Sequence, residues 1–326
     1  MNWKKVLPIV LAIVVVLGAA CTAYFLTRPA KVGIAVHDLS DPATAEYVQL
    51  LQSRLSKEGY TVTVVDAKND QSLQNQQLRT FIKEKYAAAI VSPVMISAIT
   101  ETMEIIKQGQ LPVVFVGKEI QEDMLAGYDK AAYVGNPENQ RGALLGNAVL
   151  NLPDQGDING DGAISYLLVQ DNPENVQKQA DIQSMLQTLQ KEDLQLKEIR
   201  TITTGGEQSE SEARCAQSLA QFGKDIEVVI CDSAAGALGA DKAIQDGGRG
   251  VGIDVYLVAA GDTQQILKEI MTGKISAVIH RNHPALADKT AEVVKQFVEE
   301  QSPEKVNLVD CVAVTPENVV SYIIIE

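Results

Sequence analysis

The stretch "YTVTVVDAKNDQSLQNQQLRTFIKEKYAAAIVSP", Tyr60 to Pro93, decides the fold class. Its two outer runs, "YTVTVVDA" and "AAAIVSP", predict β-strands, and "QSLQNQQLRTFIKEK" between them predicts a helix. The stretch therefore predicts one strand–helix–strand unit of a parallel sheet.

The same alternation extends in both directions, from "KVGIAV" (residues 31–36) to "ALADKTAEVVKQFVEEQ" (residues 285–301). The predicted strands are apolar throughout, as expected when both faces of a sheet are covered, and glycines and prolines punctuate the joins. The pattern repeats about twice, and 326 residues suffice for two domains. Ligands of such sheets bind beyond the carboxyl ends of the strands. Neither G-x-G-x-x-G nor G-x-x-x-x-G-K-[ST] follows a strand, so nucleotide binding is unsupported.

The charge of the chain disfavours one class of partner. The formal net charge is −14, and Lys4, Lys5 and Arg28 are the only charged residues of the first thirty. The remaining chain is therefore more acidic still, with 25 basic residues against 42 acidic ones. Such a surface repels phosphate backbones, which disfavours nucleic-acid binding, and metal cations are more natural partners.

Residues 1–30 predict a signal or a membrane anchor. Lys4 and Lys5 precede the apolar run from Val6 to Leu26, which is long enough to span a bilayer. Three alternatives stay open: an uncleaved anchor, a lipoprotein signal cleaved before Cys21 in "LGAAC", and simple secretion. All three place residues 31–326 outside the cytoplasm, associated with the membrane in the first two cases.

Three further cysteines, Cys215, Cys231 and Cys311, form no C-x-x-C motif. An odd number without that spacing describes neither a disulfide framework nor a zinc site. The interpretation is that they are small buried thiols.

Five segments together carry a family resemblance: "KNDQSLQNQQL", "PVVFVGKE", "YDKAAYVGNPE", "DINGDGAIS" and "IEVVICDSAAGALGA". In order and spacing, the chain from about Lys31 to Glu326 resembles bacterial periplasmic galactose/glucose-binding proteins. These are type I periplasmic solute-binding proteins of ABC importers. The resemblance implies an α/β fold with two lobes, each a parallel sheet flanked by helices, joined by three hinge strands. It assigns residues 31–125 and 281–309 to an N-terminal lobe and residues 126–280 and 310–326 to a C-terminal lobe.

The segment "DINGDGAIS" contains half of a calcium loop. Asp157, Asn159 and Asp161 space oxygen ligands at every second residue, and Gly162 permits a sharp turn. Position 12 of an EF-hand is a bidentate glutamate, but here it is Leu168, so a self-contained EF-hand is disfavoured. The resemblance implies that a distant glutamate, Glu227, completes a structural Ca²⁺ site within one lobe. The expected metal ligands are Asp157, Asn159, Asp161, the Ala163 carbonyl, Ser165 (directly or through water) and Glu227. A plain polar turn is the alternative.

The resemblance carries over to the ligand pocket less simply. The expected ligand contacts are Asp41, Ser92, Asn175, Gln177, Ser233, Asp262 and His280. Ala43 and Gly206 stand where the family has the two aromatic residues that sandwich a pyranose ring, and the only tryptophan is Trp3. Since aromatic stacking supplies much of the affinity for a sugar face, we expect weak or absent binding of galactose and glucose.

The three histidines, His37, His280 and His283, follow the ends of two apolar strands. His280 and Arg281 are candidate polar contacts to the ligand, and surface or packing roles are the alternative. A second metal site lacks support because no H-x-x-x-H motif is present.

Two functions stay open. The first is capture of a small, sugar-like solute for an ABC importer, with the transporter permease as partner. The second is a membrane-tethered sensor module acting on a receptor or a kinase. An enzyme is not expected, because the chain shows no catalytic motif and no pairing of a nucleophile with a base.

Overall fold

A computed structural model describes residues 29–190, 195–261 and 263–323 and shows two α/β lobes. The strands of the first lobe are β1 (Lys31–Val36), β2 (Thr61–Asp66), β3 (Ala88–Val91), β4 (Val113–Val116), β5 (Ala131–Gly135) and β11 (Val306–Leu308). Its helices are α1 (Pro42–Lys57), α2 (Gln71–Lys83), α3 (Ile99–Gly109), α4 (Glu122–Leu125) and α10 (His283–Val298). The sheet has the order β11-β5-β4-β3-β1-β2, and its strands pair in parallel.

The second lobe repeats this architecture. Its strands are β6 (Ala163–Gln170), β7 (Gln195–Thr203), β8 (Val228–Cys231), β9 (Tyr256–Ala260), β10 (Ala277–His280) and β12 (Val312–Val314). Its helices are α5 (Gln140–Leu150), α6 (Val176–Leu189), α7 (Gln208–Phe222), α8 (Ala234–Asp246) and α9 (Gln264–Met271). The sheet has the order β12-β10-β9-β8-β6-β7, and β12 runs antiparallel to β10 at its edge. The fold class is thus as predicted, apart from this one antiparallel strand.

The stretch from Tyr60 to Pro93 forms β2, α2 and β3. Helix α2 begins after Asp70, whose carboxylate accepts hydrogen bonds from Ser72 N at 2.8 Å and Leu73 N at 3.1 Å. This bonding satisfies two of the amide groups that a helix leaves unpaired at its start. Strands β2 and β3 both pair with β1, which lies between them in the sheet.

Each sheet buries both of its faces, so each lobe has two cores. In β4, Val114 packs with residues of α1 and α10, while the next residue, Phe115, packs with residues of α2 and α3 on the opposite face. In β6, Leu167 and Leu168 divide in the same way, towards α7–α9 and towards α5 and α6. Because neighbouring residues of a strand point to opposite faces, only continuously apolar strands fit here.

The chain passes between the lobes three times, after β5, after β10 and after β11. The side-chain amide of Asn136, in the first crossing, donates to Arg281 O at 3.0 Å in the second and to Val309 O at 2.7 Å in the third. One side chain therefore ties all three crossings together.

The first crossing differs from the predicted boundary after residue 125. Strand β5, Ala131–Gly135, belongs to the first sheet, where it pairs with β4 and β11. The physical reason is that the residues of this apolar strand pack into both cores of the first lobe. Residues 1–28, which hold the expected anchor and Cys21, lie outside the described part of the chain. Among the helices that the structure does describe, none combines the length and the apolarity needed to cross a bilayer.

Candidate functional site

Polar groups of the first lobe gather just beyond the carboxyl ends of β1, β3 and β4. His37 Nδ1 lies 2.8 Å from Ser92 Oγ. Burial, and then the positive charge of Lys118, lower the pKa of His37, so the neutral imidazole is favoured. Lys118 Nζ donates to Val94 O. This edge of the lobe is therefore built from polar groups that already contact one another.

A fully buried glutamine holds the loop that carries Ser92. Gln74 Nε2 donates to Ser92 O at 2.9 Å, and its Oε1 accepts from Val94 N at 3.1 Å. These two bonds fix the backbone on both sides of Pro93, and with it the position of the Ser92 hydroxyl. Gln74 lies in the "KNDQSLQNQQL" segment and was not among the expected site residues.

The matching edge of the second lobe carries a charged cluster after β6 and β8. Lys178 Nζ, in the first turn of α6, lies 2.5 Å from Asp171 Oδ2 and 3.7 Å from Asp232 Oδ1. Asp232 Oδ1 also accepts a hydrogen bond from Asp171 N at 2.8 Å. Burial raises the pKa of Asp232, while the charge of Lys178 opposes that rise.

Three of the expected ligand contacts begin helices. Asp41 Oδ2 accepts from Thr44 N at 3.0 Å, Asn175 Oδ1 from Lys178 N at 3.1 Å, and Ser233 Oγ from Gly236 N at 3.1 Å. Each residue follows a strand end, as a ligand contact in this fold must, but one oxygen of each caps a helix. A contact to a ligand would use their remaining hydrogen-bonding capacity.

The remaining expected contacts differ in environment. Ser92 is buried beside His37, and Gln177 is exposed at the start of α6. His280 is 1% exposed, and its Nδ1 accepts from Asn282 N at 2.8 Å. Its ring centroid lies 5.1 Å from that of His283, so the two rings pack against each other at the second crossing. Asp262 lies outside the described residues.

Small residues occupy the two positions at which the resemblance implies ring-stacking aromatic side chains. Ala43 is half-buried in the first turn of α1. Gly206 has φ +82°, and a Cβ placed on it would lie 2.6 Å from Asp171 Oδ1. The charged cluster thus occupies the space that a side chain at position 206 would need.

The two lobes also touch directly. Glu46 Oε2 of α1 accepts a hydrogen bond at 2.8 Å from Gln264 N, at the first residue of α9 in the second lobe. A carboxylate at a helix N-terminus is favoured by the unpaired amide groups there. Because ligands of such sheets bind beyond the carboxyl ends of the strands, we expect the polar groups at the strand ends of the two lobes to face a common cleft.

Sequence reasoning did not single out Asp171, Lys178 or Asp232. A usable signal was present, because Asp171 and Asp232 each come directly after a buried strand. That Lys178 pairs with both depends on the loop between β6 and α6, whose conformation the sequence pattern does not specify.

The "DINGDGAIS" segment forms a tight loop in which side-chain oxygens accept backbone N–H groups. Asp157 Oδ1 accepts from Gly160 N and Oδ2 from Gly162 N, both at 2.8 Å. Asp161 Oδ1 accepts from Ala163 N at 2.9 Å. Gly160 and Gly162 have φ of +74° and +81°, a conformation that favours glycine.

Glu227 reaches this loop from the segment before β8, as the resemblance implies. Its side chain is 1% exposed, and it accepts from Asn159 N at 2.8 Å and from Ser165 N at 3.2 Å. Ser165 Oγ is buried beside it and has no hydrogen-bond partner within the described residues. Across residues 29–190, 195–261 and 263–323, however, no three His, Cys, Asp or Glu side chains gather closely enough to hold a metal.

Comparison with known proteins agrees with this architecture. The D-galactose/methyl-galactoside binding periplasmic protein of Haemophilus influenzae is 22% identical over 247 residues, 73% of each chain. The ribose import binding protein of Bacillus subtilis is 22% identical over 269 residues, 80% of this chain and 78% of its own. A periplasmic solute binding protein of an ABC transporter from Actinobacillus succinogenes, solved with bound D-allose, superposes with a TM-score of 0.76 at 15% identity. It covers 90% of this chain and 100% of its own.

The family model for the periplasmic binding protein domain matches residues 32–302, well over half of the chain. The match confirms the predicted resemblance and, with it, a binding protein in place of an enzyme. With two α/β lobes, three crossings between them and this match over residues 32–302, the chain belongs to the periplasmic binding protein family.

Proposed function

We propose that this protein captures a small polyhydroxylated solute, a sugar or a polyol, outside the cytoplasm and presents it to an ABC importer. The observation that carries the proposal is that each lobe places polar and charged groups beyond the carboxyl ends of its parallel strands, where ligands of such sheets bind. The relatives named for galactose and ribose, and the solved structure with D-allose, support this solute class. The name of the ribose relative also supports import over the sensor alternative.

Capture by this fold is a population shift. A solute that contacts both lobes stabilises the closed arrangement relative to any arrangement in which the lobes separate. The three crossings, tied by Asn136, limit the relative motion to a hinge. The bond between Glu46 and Gln264 N stabilises the arrangement of the lobes that this structure shows.

A thermal-shift screen tests the solute class. D-ribose, L-arabinose, D-allose, myo-inositol and D-galactose are compared with amino acids and small anions. A solute at 100 times its dissociation constant adds about 2.7 kcal/mol to the free energy of unfolding, which is readily measured. A shift with an amino acid or an anion, and with none of the polyhydroxylated solutes, contradicts the proposal.

The absence of side chains for ring stacking at Ala43 and Gly206 leads to a narrower expectation. Galactose and glucose should not bind with submicromolar affinity, because the charged cluster offers hydrogen bonds without an aromatic platform. Isothermal titration calorimetry with the two sugars measures this directly. A tight, stoichiometric isotherm with either sugar would show that the cleft differs from our description.

We also propose that the N-terminal segment holds the protein at the membrane, by an uncleaved helix or by lipidation at Cys21. The basis is the apolar run from Val6 to Leu26 after two lysines. Cell fractionation followed by intact-mass measurement distinguishes the two, since lipidation removes residues 1–20 and adds acyl chains. Recovery of the full-length chain from the soluble fraction contradicts both.

A calcium ion in the "DINGDGAIS" loop is a further proposal, supported by the buried groups around it. Glu227 accepts one N–H on each oxygen, which leaves each oxygen further acceptor capacity in a site closed to water. The neighbouring Ser165 hydroxyl has no hydrogen-bond partner among the described groups. A cation satisfies both, because Ca²⁺ takes six to eight hard oxygen ligands, carbonyl and amide oxygens among them.

The acidic side chains around the loop are not clustered among the described residues, so calcium binding requires them to move towards the ion. Asp161 is exposed and Asp157 half-buried, so both have room to move. When bound, the ion would join the loop to the segment before β8 as a structural cross-link. Melting curves with calcium, with magnesium and with chelator test the site. Identical curves, with no calcium found by elemental analysis, leave the segment as an ordinary turn.

A further inference from the structure

The second-lobe side of the cleft carries an ion pair that is fixed yet reachable. Asp171 directly follows β6, and Lys178 lies in the first turn of α6. The Lys178 ammonium lies 2.5 Å from Asp171 Oδ2, with the two side chains 21% and 23% exposed. Within the part of the chain that the structure describes, this ammonium makes hydrogen bonds only to Asp171, so it retains donors for a further partner.

Asp232 holds this pair from the buried side. Its side chain is 5% exposed, its Oδ1 accepts from Asp171 N at 2.8 Å, and the same oxygen lies 3.7 Å from Lys178 Nζ. Asp232 Oδ2 is buried and accepts no hydrogen bond from the described residues. Lys178 therefore interacts with two carboxylates, and Asp232 fixes the geometry of the ion pair from its buried side. Asp232 acts as a positioning residue.

Gly206 leaves the pair uncovered. A Cβ at this position would lie 2.6 Å from Asp171 Oδ1, which is closer than real Cβ contacts come. The backbone there also has φ +82°, which disfavours any other residue. A side chain at 206 would both displace the Asp171 carboxylate and cover it. The glycine thus keeps one carboxylate oxygen and the ammonium open side by side.

An adjacent acceptor and donor match two neighbouring hydroxyl groups. One hydroxyl donates to Asp171, and the other accepts from Lys178, in charge-assisted hydrogen bonds that are stronger than neutral ones. A neutral diol adds to the pair without breaking it. An ionic ligand would have to separate charges that are already 2.5 Å apart, at a cost in desolvation and in the lost ion pair.

We propose that Asp171 and Lys178, positioned by Asp232 and left open by Gly206, recognise a vicinal diol of the bound solute. This inference rests on the proposed function, since it names the feature of the polyhydroxylated solute that the second lobe contacts.

Isothermal titration calorimetry of the full chain with D-ribose, D-allose and myo-inositol tests the proposal. The reference probe is whichever of the three binds the wild type most tightly. Asp171→Asn and Lys178→Gln should each weaken its binding about tenfold or more, because each removes a charge-assisted hydrogen bond. Lys274→Gln is the matched control. Lys274 pairs with Glu269 at 2.8 Å in the same lobe but precedes β10, at the end of the sheet opposite the cleft, so affinity should stay within about twofold.

A second pair of variants isolates the open space above Asp171. Gly206→Ala should weaken binding about tenfold or more, because its methyl group displaces the carboxylate. Gly205→Ala should keep the affinity within about threefold. Gly205 also has positive φ, at +62°, but a Cβ there meets nothing within 4 Å. The two variants share the backbone strain and differ in the contact, and melting curves show whether each one folds.

The possible outcomes distinguish failure of the diol contact from failure of the proposed function. Tight binding to the wild type that persists in Asp171→Asn and Lys178→Gln overturns the diol contact and leaves the proposed function intact. L-serine is titrated as an amino-acid probe. If it binds the wild type and this binding is lost in both variants, the pair recognises an amino acid, and the proposed diol contact is overturned. If only L-arabinose or D-galactose binds the wild type, that sugar serves as the probe. Failure of all five polyhydroxylated solutes of the thermal-shift screen to bind the wild type overturns the proposed solute class, and this inference with it.

Discussion

Replacing Glu227 by glutamine separates what the buried carboxylate does for folding from what it does for an ion. The side chain is 1% exposed, and both of its oxygens accept backbone N–H groups, from Asn159 at 2.8 Å and from Ser165 at 3.2 Å. Glutamine keeps one acceptor oxygen and places an NH₂ group against the other N–H. The variant therefore loses one charge-assisted bond and buries a pair of opposed donors.

The cost follows from these two changes. A hydrogen bond to a charged group is worth about 1.5–3 kcal/mol, and an unsatisfied buried donor costs about 1–3 kcal/mol. We expect Glu227→Gln to lose about 3 kcal/mol in chelator alone, which for a unit of this size lowers the melting temperature by roughly 6–12 °C. The control is Asp225→Asn, two residues away and exposed, which should change the free energy of unfolding by less than about 0.5 kcal/mol.

The ion contributes separately. Calcium at 100 times its dissociation constant should add about 2.7 kcal/mol to the wild type and clearly less to Glu227→Gln, because the variant lacks the distant carboxylate. An affinity between about 10⁻⁷ and 10⁻⁴ M is expected, and magnesium should substitute badly. Calorimetric melting of both proteins, with calcium and with chelator, measures the four values. Equal melting of the two proteins in chelator refutes the hydrogen-bond argument, and an equal calcium shift removes Glu227 from the ligand set.

Three other predictions concern the hinge, the cleft and the thiols. Asn136→Ala should lower the free energy of unfolding in urea by about 2 kcal/mol. Asn136→Asp should lower it more, because a carboxylate would face two carbonyl oxygens. Wild-type stability of both variants contradicts the role of the amide. Burial raises the pKa of Asp232 above its ordinary 3.8, so the folded state binds this proton more tightly than the unfolded state does. The folded state therefore loses stability as the pH rises from 3.8 through the raised pKa. Asp232→Asn should therefore gain stability relative to wild type as the pH rises above the ordinary 3.8 of this carboxyl, and a pH-independent difference argues against this. Burial raises the pKa of Cys215 to about 11, and Cys231 and Cys311 are also buried, so the folded chain 29–326 should show no fast thiol towards a disulfide reagent. A rapidly labelled thiol would contradict that burial.

The sequence pattern predicts the fold because the central strands of each sheet are buried on both faces and are therefore apolar along their length. Strand β6, for example, is buried along its whole length, and its apolar run is unmistakable. What the pattern does not specify is the sheet to which a strand belongs. Strand β5 has the same apolar character as its neighbours, and only its pairing with β4 and β11 places the first crossing after it.

The candidate site was predictable in location and less so in detail. Strand ends mark the cleft, and the contact of Glu227 with the loop of Asn159 follows from the resemblance. The pair of Asp171 and Lys178 does not, since it depends on a loop conformation and on Asp232, which is 61 positions away in the chain. Asn175, in contrast, is of a residue type that commonly begins helices, and its side-chain oxygen does so for α6.

The passage of the chain between the lobes has a consequence for the order in which the protein is made. One face of the first sheet is covered by α1 and by α10, whose Leu286, Val293, Val294 and Phe297 complete its core. The strands of that sheet, β11 excepted, are finished at Gly135, but α10 begins at His283. At a synthesis rate of about 5–20 residues per second, the part of that face that α10 covers stays exposed for roughly 7–30 s after β5 has been synthesised. The first lobe therefore cannot complete its core until most of the second has been synthesised, and the nascent chain remains without a finished N-terminal lobe for most of its synthesis.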